Sequence, residues 1–183
     1  MSKFDTVYNR YREKQEEIRS EMYLIMASAS EEEARDRFWS LLADGFSEGN
    51  AAAEHMLGVM TPFRGDVIDK RYDGQSIFDK LAQYYESGDE EKAHTLIESE
   101  WHRCYCEAGY LAAKTSERPI SKKWVDCDDS RTRLTHDTLG GITLGLQDDF
   151  ITANGHGQFP GGFDDTRDNA GCRCILQYEY IDG

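Results

Sequence analysis

The chain has 183 residues, of which 39% are hydrophobic, and this content is enough for a folded core and excludes a wholly disordered protein. Its 21 basic and 35 acidic residues give a net charge of -14, which repels nucleic-acid phosphates. We therefore expect no direct nucleic-acid binding. No stretch approaches the ~18 consecutive apolar residues of a membrane span, and the charged amino terminus lacks the apolar segment of a secretory signal. We expect a protein that is made in a cytosol and has no membrane partner.

The first part of the chain predicts amphipathic helices. Apolar residues recur every three or four positions from residue 4 to residue 26, a spacing that predicts one long helix with an apolar stripe. Ser30 followed by Glu33 is typical of a capping box and predicts a second helix through residues 34–46. Residues 47–74 have little pattern, and no element is assigned there. The predicted core positions of the two helices are Phe4, Tyr8, Tyr11, Ile18, Met22, Ile25, Phe38, Trp39 and Leu42.

Two more helices are predicted before residue 114. Residues 75–88 have the pattern of a short amphipathic helix, and the acids at positions 89–91 favour the start of a longer one. Cys104 lies on the apolar face of that longer helix and is interpreted as a small buried side chain. His102 and Cys106 lie off this face, and neither has a partner at ligand spacing on its own helix.

The character of the sequence changes after residue 116. The stretch "GHGQFPGGFDD" at residues 155–165 is typical of turns, and the apolar pieces at 141–146 and 172–180 are too short for helices. The fold class that we predict is α+β. A helical region at residues 1–116 would be followed, at residues 117–183, by a small loop-rich α+β module with a short antiparallel sheet and a final strand.

Cysteine and histidine residues suggest one chemical site in this module. The chain has five cysteines, which is an odd number. In an intracellular protein this favours free thiols or metal ligands over disulfides. Cys127, His136, Cys172 and Cys174 would form a Cys3His set that suits tetrahedral zinc. The alternative is that Cys172 and Cys174 only contribute to the inward face of the last strand, with no cofactor bound.

Two other interpretations concern the segment "KKWVDCDDSRTRLTH" at residues 122–136. His136 could be the general base of a small nuclease-like hydrolase, with Asp129 beside it and the guanidinium groups of Arg131 and Arg133 on a phosphate. Alternatively, the two arginines could bind carboxylates or backbone carbonyls through their planar forks and fix the loops of a module that has little apolar core.

The order of residues in this region resembles the phage Mu F-like family of minor head proteins, which are also called phage head morphogenesis proteins. The resemblance covers about residues 95–178 and includes the predicted helix "IESEWHRCYCEAGYLAAK" at residues 97–114. The matching positions, in order, are Lys123, Trp124, Asp129, Arg131, Thr132, Arg133, His136, Gly141, Phe150, Pro160, Gly161, Asn169, Cys172, Arg173 and Cys174.

This resemblance implies a structural role in virion assembly and no enzymatic activity. It implies a place in the phage head, with the portal protein, the major capsid protein or both as partners. The amphipathic amino-terminal helices would offer surfaces for those partners or for self-association. Trp124, Arg131, Arg133, His136, Asn169, Cys172 and Arg173 would hold the module together. Some relatives carry a Cys pair at the positions of Arg133 and His136 and a His before the final Cys-x-Cys, which implies that the two regions meet in space.

Overall fold

The structure is a computed structural model that describes residues 2–127 and 132–181. Asp129 and Arg131, two of the predicted site residues, lie outside the described residues. Within the described part of the chain there are helices of very different length, three of them with 24 residues or more. They are α1 (Lys3–Met26), α2 (Glu31–Leu57), α3 (Gly65–Ile68), α4 (Ile77–Ser87), α5 (Glu90–Ala113), α6 (Leu134–Asp137) and α7 (Thr166–Asn169).

Local sequence signals start these helices. The Ser2 hydroxyl accepts a hydrogen bond from the Asp5 amide, and the Asp5 carboxylate accepts one from the Ser2 amide, which completes a capping box for α1. At α2, Ser30 caps the Glu33 amide as predicted, but the Glu33 carboxylate binds the amide of Ala29. The starts of these helices can therefore be predicted from the sequence, because capping side chains accept hydrogen bonds from the free amides of the first turn.

The apolar stripe of α1 is buried against the other helices of the same chain. Tyr11, Ile18 and Ile25 are at most 2% exposed, as the spacing predicted, while Phe4 and Tyr8 at the start of the helix are only partly buried. Val7, which the sequence analysis did not assign to the core, is also buried. Because other helices of the same chain cover this stripe, it is not available for contact with other proteins.

Helix α2 differs from the prediction in two respects. It continues to Leu57, so the unassigned stretch after residue 46 begins with eleven helical residues. Trp39, predicted in the core, is 40% exposed, whereas Phe38 and Leu42 are fully buried. Helical spacing places residues 38 and 39 about 100° apart, so only one of them can point at the centre of the neighbouring helices.

Helix α5 lies at the centre of the molecule. It contacts α1, α2 and α4, and its residues Ile97, Trp101 and Cys104 are fully buried. Burial extends beyond the predicted stripe, since His102 and Arg103 on other faces are also at most 2% exposed. No residue from 100 to 113 is exposed, so this part of α5 positions what packs on it, whereas Lys92 and Thr95 near its start are exposed.

The carboxyl-terminal region contains short antiparallel sheets, and the fold class is α+β as predicted. The largest sheet consists of β4 (Thr143–Gly145), β3 (Ile120–Val125) and β7 (Ile175–Tyr180) in that order, and Trp124 of β3 is opposite Leu176 of β7. Strand β3, at the Lys122–Trp124 stretch, was not predicted. The strands are β1 (Arg71–Tyr72), β2 (Gln75–Ser76), β3 (Ile120–Val125), β4 (Thr143–Gly145), β5 (Phe150–Ile151), β6 (His156–Gly157) and β7 (Ile175–Tyr180).

Helices and sheet contact each other directly. Strand β7 packs on α2 and α5, and Ile175 belongs to the same cluster of buried residues as the helical core. A second cluster, around Trp124, Phe150 and Phe163, lies beneath the sheet and loops. The division into residues 1–116 and 117–183 stays a prediction. None of the described helices combines the length and the apolar character needed to cross a bilayer.

Candidate functional site

His136 lies inside the carboxyl-terminal region. It is on the short helix α6 and is 1% exposed. Its ring packs edge-to-face against the indole of Trp124, with 5.4 Å between ring centroids, and stacks on the ring of Phe163 at 6.0 Å. Trp124 is itself fully buried and contacts Phe150 at 5.0 Å between centroids. This aromatic packing fixes the plane of the imidazole.

One nitrogen of the His136 ring faces two cysteine thiols. Nδ1 lies 3.5 Å from the Sγ atom of Cys172 and 3.6 Å from that of Cys174. The three side chains are buried, and their ligand atoms all lie within 4.8 Å of one another. Cys172 and Cys174 precede β7, while His136 follows the connection after β3. The structure thus brings together three of the four residues in the predicted metal set.

The fourth predicted ligand, Cys127, lies beside this group. Its thiol is 3.1 Å from the carbonyl oxygen of Arg173, the residue between Cys172 and Cys174, and donates to it. Cys127 is partly buried and follows β3 by two residues. It is adjacent to the other three residues but does not belong to the set within 4.8 Å among the described residues.

The other nitrogen of His136 faces Asp168, which was not among the predicted site residues. Nε2 lies 3.6 Å from Oδ1 of Asp168, a distance longer than a hydrogen bond. Asp168 is fully buried on α7 and accepts hydrogen bonds from Thr135, Thr152 and Asn154. Burial opposes its ionisation, but the bonds from Thr152 and Asn154 and the nearby His136 outweigh burial and lower the pKa of the carboxyl. No spacing signal identifies such a residue, because α7 has only four residues.

The remaining predicted residues join the loops around this site. Arg133 donates a hydrogen bond to the carbonyl oxygen of Ala170, which links the segment before α6 to the end of α7. The side-chain amide of Asn169 makes two hydrogen bonds with the backbone of Phe163, at 2.7 and 2.9 Å. The amide of Gly171 donates to the Ser99 hydroxyl on α5 at 2.8 Å. Arg133 and Asn169 therefore bind backbone groups and not a free surface ligand.

Two of the buried thiols, those of Cys174 and Cys104, are held in their neutral form. A hydrogen bond with Cys172, together with burial, raises the pKa of the Cys174 thiol well above its usual range. Burial raises the pKa of Cys104 to about 12. A neutral thiol is a poor nucleophile. In the protein alone, these residues are therefore not activated for covalent catalysis.

A second buried polar group lies next to the site on α5. The hydroxyl of Tyr11 is 2.8 Å from Nδ1 of His102, and the thiol of Cys106 is 3.7 Å from Nε2 of His102. The Cys106 thiol also donates to the carbonyl of Cys174 at 3.8 Å. The prediction that His102 and Cys106 have no partner at ligand spacing on their own helix was wrong, because residues four apart are neighbours on a helix and these two contact each other.

Comparisons with known proteins give one similarity. No protein-family model matches the chain, and no solved structure matches it. Among curated proteins, the chain is similar to the minor head protein GP7 of Bacillus phage SPP1, with 30% identity over 95 residues, or 50% of this chain. The chain spans 30% of the length of that relative. The similarity indicates a distant relationship to a phage head protein, and the assignment to the phage Mu F-like family in particular stays a prediction.

Proposed function

We propose that the chain is a structural component of a tailed-bacteriophage head, which acts in head assembly through contacts with the portal protein, the major capsid protein or both. The observation that carries this proposal is the similarity to a phage minor head protein, at 30% identity over half of the chain. The protein would be located in the virion head and would not be an enzyme.

The burial of His136 supports a structural role over the alternative of a hydrolase. A general base must come within hydrogen-bond distance of the proton that it removes. The His136 ring is 1% exposed, and its faces and nitrogens are occupied by Trp124, Phe163, two thiols and a carboxylate. A substrate would have to displace this packing to reach the ring. The arrangement favours a residue that joins chain segments.

Exposed apolar side chains on the helical region offer contact points for partners. Tyr23 and Leu24, near the end of α1, are 63% and 47% exposed. Met60 and Phe63, in the connection after α2, are 52% and 57% exposed. Self-association through α1 would have to use Tyr23 and Leu24, because the stripe of that helix is buried. The net charge of -14 favours partner surfaces that are basic.

The proposal is tested by copurification and by analysis of particles. The affinity-tagged chain would be coexpressed with the portal and major capsid proteins of the same phage. We expect it to retain at least one of them at low ionic strength and to release it as salt is raised, since salt screens exposed charges. Quantitative mass spectrometry of purified heads should find the chain at low copy number. The chain's absence from purified heads, with no portal or capsid retained, would overturn the proposal.

Surface variants make the test specific. The double variant Tyr23→Ser/Leu24→Ser and the single variant Met60→Ser each remove exposed apolar area. Phe63 is left in place because its ring packs on the buried ring of Phe46, with 5.3 Å between centroids. At least one of the two variants should reduce copurification while its thermal unfolding stays at the wild-type value. The matched control is Ser20→Ala/Ser47→Ala, which changes two exposed residues on α1 and α2, leaves the net charge unchanged and should retain the partner.

A further inference from the structure

We infer that His136, Cys172 and Cys174 form a structural zinc site that is closed by Cys127 as the fourth ligand. This inference concerns the stability of the fold and does not depend on the proposed role in the phage head. It rests on the positions of the donor atoms, on the hydrogen-bonding capacity of the imidazole and on the residues around it.

The distances from the imidazole nitrogen to the two sulfurs are those of tetrahedral zinc. With a Zn–S bond of about 2.3 Å and a Zn–N bond of about 2.05 Å, tetrahedral geometry places nitrogen and sulfur about 3.6 Å apart. The observed distances from His136 Nδ1 to the two sulfurs are 3.5 and 3.6 Å. One zinc ion could therefore bind all three atoms without rearrangement of the backbone. Imidazole and thiolate donors are the set that zinc prefers.

Hydrogen bonds among these three side chains leave one polar atom without a partner. Nδ1 of a neutral imidazole can accept from one thiol, and the two thiols also hydrogen-bond to each other. Nε2 of His136 has no hydrogen-bond partner within the described part of the chain, although it is buried. A metal ion at Nδ1 would satisfy both sulfurs and the nitrogen together, and it would leave a proton on Nε2.

Asp168 provides the support that a zinc-binding histidine usually has. Metal-bound histidines commonly direct the second ring nitrogen at a carboxylate, which fixes the ring and its tautomer. The Asp168 carboxylate lies 3.6 Å from Nε2 and is held by Thr135, Thr152 and Asn154. A small inward movement of the ring would bring Nε2–H within hydrogen-bond distance of this carboxylate.

A fourth protein ligand would close the site. Structural zinc sites have four protein ligands, and Cys127 is the thiol next to the other three, at 3.1 Å from the backbone of Arg173. A thiol-to-carbonyl hydrogen bond is weak, so the Cys127 side chain can exchange it for a bond to the metal. The ion would then join the end of β3, helix α6 and the segment before β7.

The first experiment measures metal in protein that was purified under reducing conditions without chelator. We expect about one zinc per chain, and we expect a chelator to lower the unfolding temperature, because binding free energy of a structural metal contributes to folding. Replacement by Co²⁺ should give an absorption band from thiolate-to-cobalt charge transfer, which adventitious surface binding would not give. The inference would be overturned if the folded wild-type protein contained no zinc and a chelator left its unfolding temperature unchanged.

Substitutions identify the ligands. Cys172→Ser, Cys174→Ser and His136→Gln should each lose the bound zinc, whereas Cys104→Ala, which removes a buried thiol elsewhere on α5, should retain it. Cys127→Ser should weaken zinc binding at least tenfold in competition with a chelator. Wild-type affinity in Cys127→Ser would refute the fourth ligand, and equal loss of zinc in Cys104→Ala would refute the whole site. If the ligand variants do not fold, the cobalt spectrum of the wild type decides.

Discussion

The backbone of Gly49 on α2 lies directly against the backbone of Tyr105 on α5. A Cβ atom on Gly49 would overlap the carbonyl oxygen of Tyr105 and would lie 2.7 Å from its carbonyl carbon. One turn earlier, a Cβ on Gly45 would lie 2.9 Å from the carbonyl oxygen of Trp101. The contact between α2 and α5 therefore depends on two glycines four residues apart, which leave room for the opposing backbone.

Replacing Gly49 with alanine should destabilise the protein. The added methyl group has backbone on its opposite side, which cannot move as a side chain can, so the two helices must separate. We expect a loss of about 2 kcal/mol in the free energy of unfolding, because overpacking outweighs the better helix propensity of alanine. Urea unfolding followed by circular dichroism measures this loss.

Gly65→Ala is the matched control. A Cβ at Gly65 would have only the edge of Trp39 near it, at 3.9 Å. This variant should stay within about 0.5 kcal/mol of the wild type, as surface substitutions do. Equal stability of Gly49→Ala and Gly65→Ala would mean that α2 and α5 are farther apart than described.

Trp124 and Trp39 offer a direct comparison of a buried and an exposed indole. Trp124 is fully buried between His136, Phe150 and Phe163, whereas Trp39 is 40% exposed. Trp124→Ala should lower the free energy of unfolding by about 4 kcal/mol through the cavity that it leaves. Trp39→Ala should cost about 1 kcal/mol. Denaturant titration of both variants checks the difference, and the same cost for both would contradict the described burial.

The helical part of the fold was predictable where one face of a helix is apolar and the other is polar. The stripes of α1 and α5 have that regularity, and capping residues mark where helices start. Residues 47–57 were missed because Gly49 interrupts the pattern, and its role is visible only when α5 lies against it. The prediction of Trp39 in the core was wrong because the spacing does not say which of two adjacent aromatic residues faces the core.

Strand β3 and the surroundings of His136 show a different limit. Strand alternation places Ile120, Lys122 and Trp124 on the inward face. Because one of these buried residues is a lysine, the sequence does not show the alternation of apolar and polar residues that predicts a strand. The ammonium group of Lys122 donates to the carbonyl of Gln158 at 2.8 Å and lies 5.2 Å from the centre of the Phe150 ring. Residue chemistry pointed to His136 with Cys172 and Cys174, but tertiary packing alone brings Asp168 next to His136, and no local pattern encodes that contact.

Arg103 and Glu100 form a buried ion pair on α5. Removing only one of the two charges should lower the stability of the protein strongly. Arg103 Nε lies 2.7 Å from the Glu100 carboxylate, and both side chains are at most 6% exposed. The guanidinium also binds Glu107 at 2.8 Å and the carbonyl of Val67 at 2.7 Å. Arg103→Met should lower the free energy of unfolding by about 4 kcal/mol, because it leaves a buried carboxylate without its cation.

Two further variants separate charge from packing. Adding Glu100→Gln to Arg103→Met should recover about 1–2 kcal/mol, since the unpaired charge is removed. Arg10→Met breaks a similar contact, at 2.7 Å to Glu48, but the Arg10 side chain is 50% exposed. This control should cost less than about 1 kcal/mol. A double variant no more stable than Arg103→Met would show that the loss comes from packing and not from the buried charge.

His102 should make the stability of the protein depend on pH. Burial lowers its pKa from 6.5 to about 3, an effect that His136 and Arg173 increase and Glu98 opposes. Below pH 6.5 the unfolded chain binds a proton at this residue and the folded chain does not, so the stability falls as pH falls toward 3. At pH 5 this costs about 2 kcal/mol relative to pH 7.5.

The variant His102→Gln removes this titration while it keeps an amide near the Tyr11 hydroxyl. Its unfolding free energy is expected to be lower than that of the wild type at pH 7.5, with a gap that narrows by about 2 kcal/mol at pH 5. Urea unfolding at both pH values gives the two differences. His55→Gln, which replaces an exposed histidine on α2, is the control and should leave the pH dependence at its wild-type slope. A gap that is the same at both pH values would mean that His102 gains a proton in the folded state as readily as in the unfolded chain.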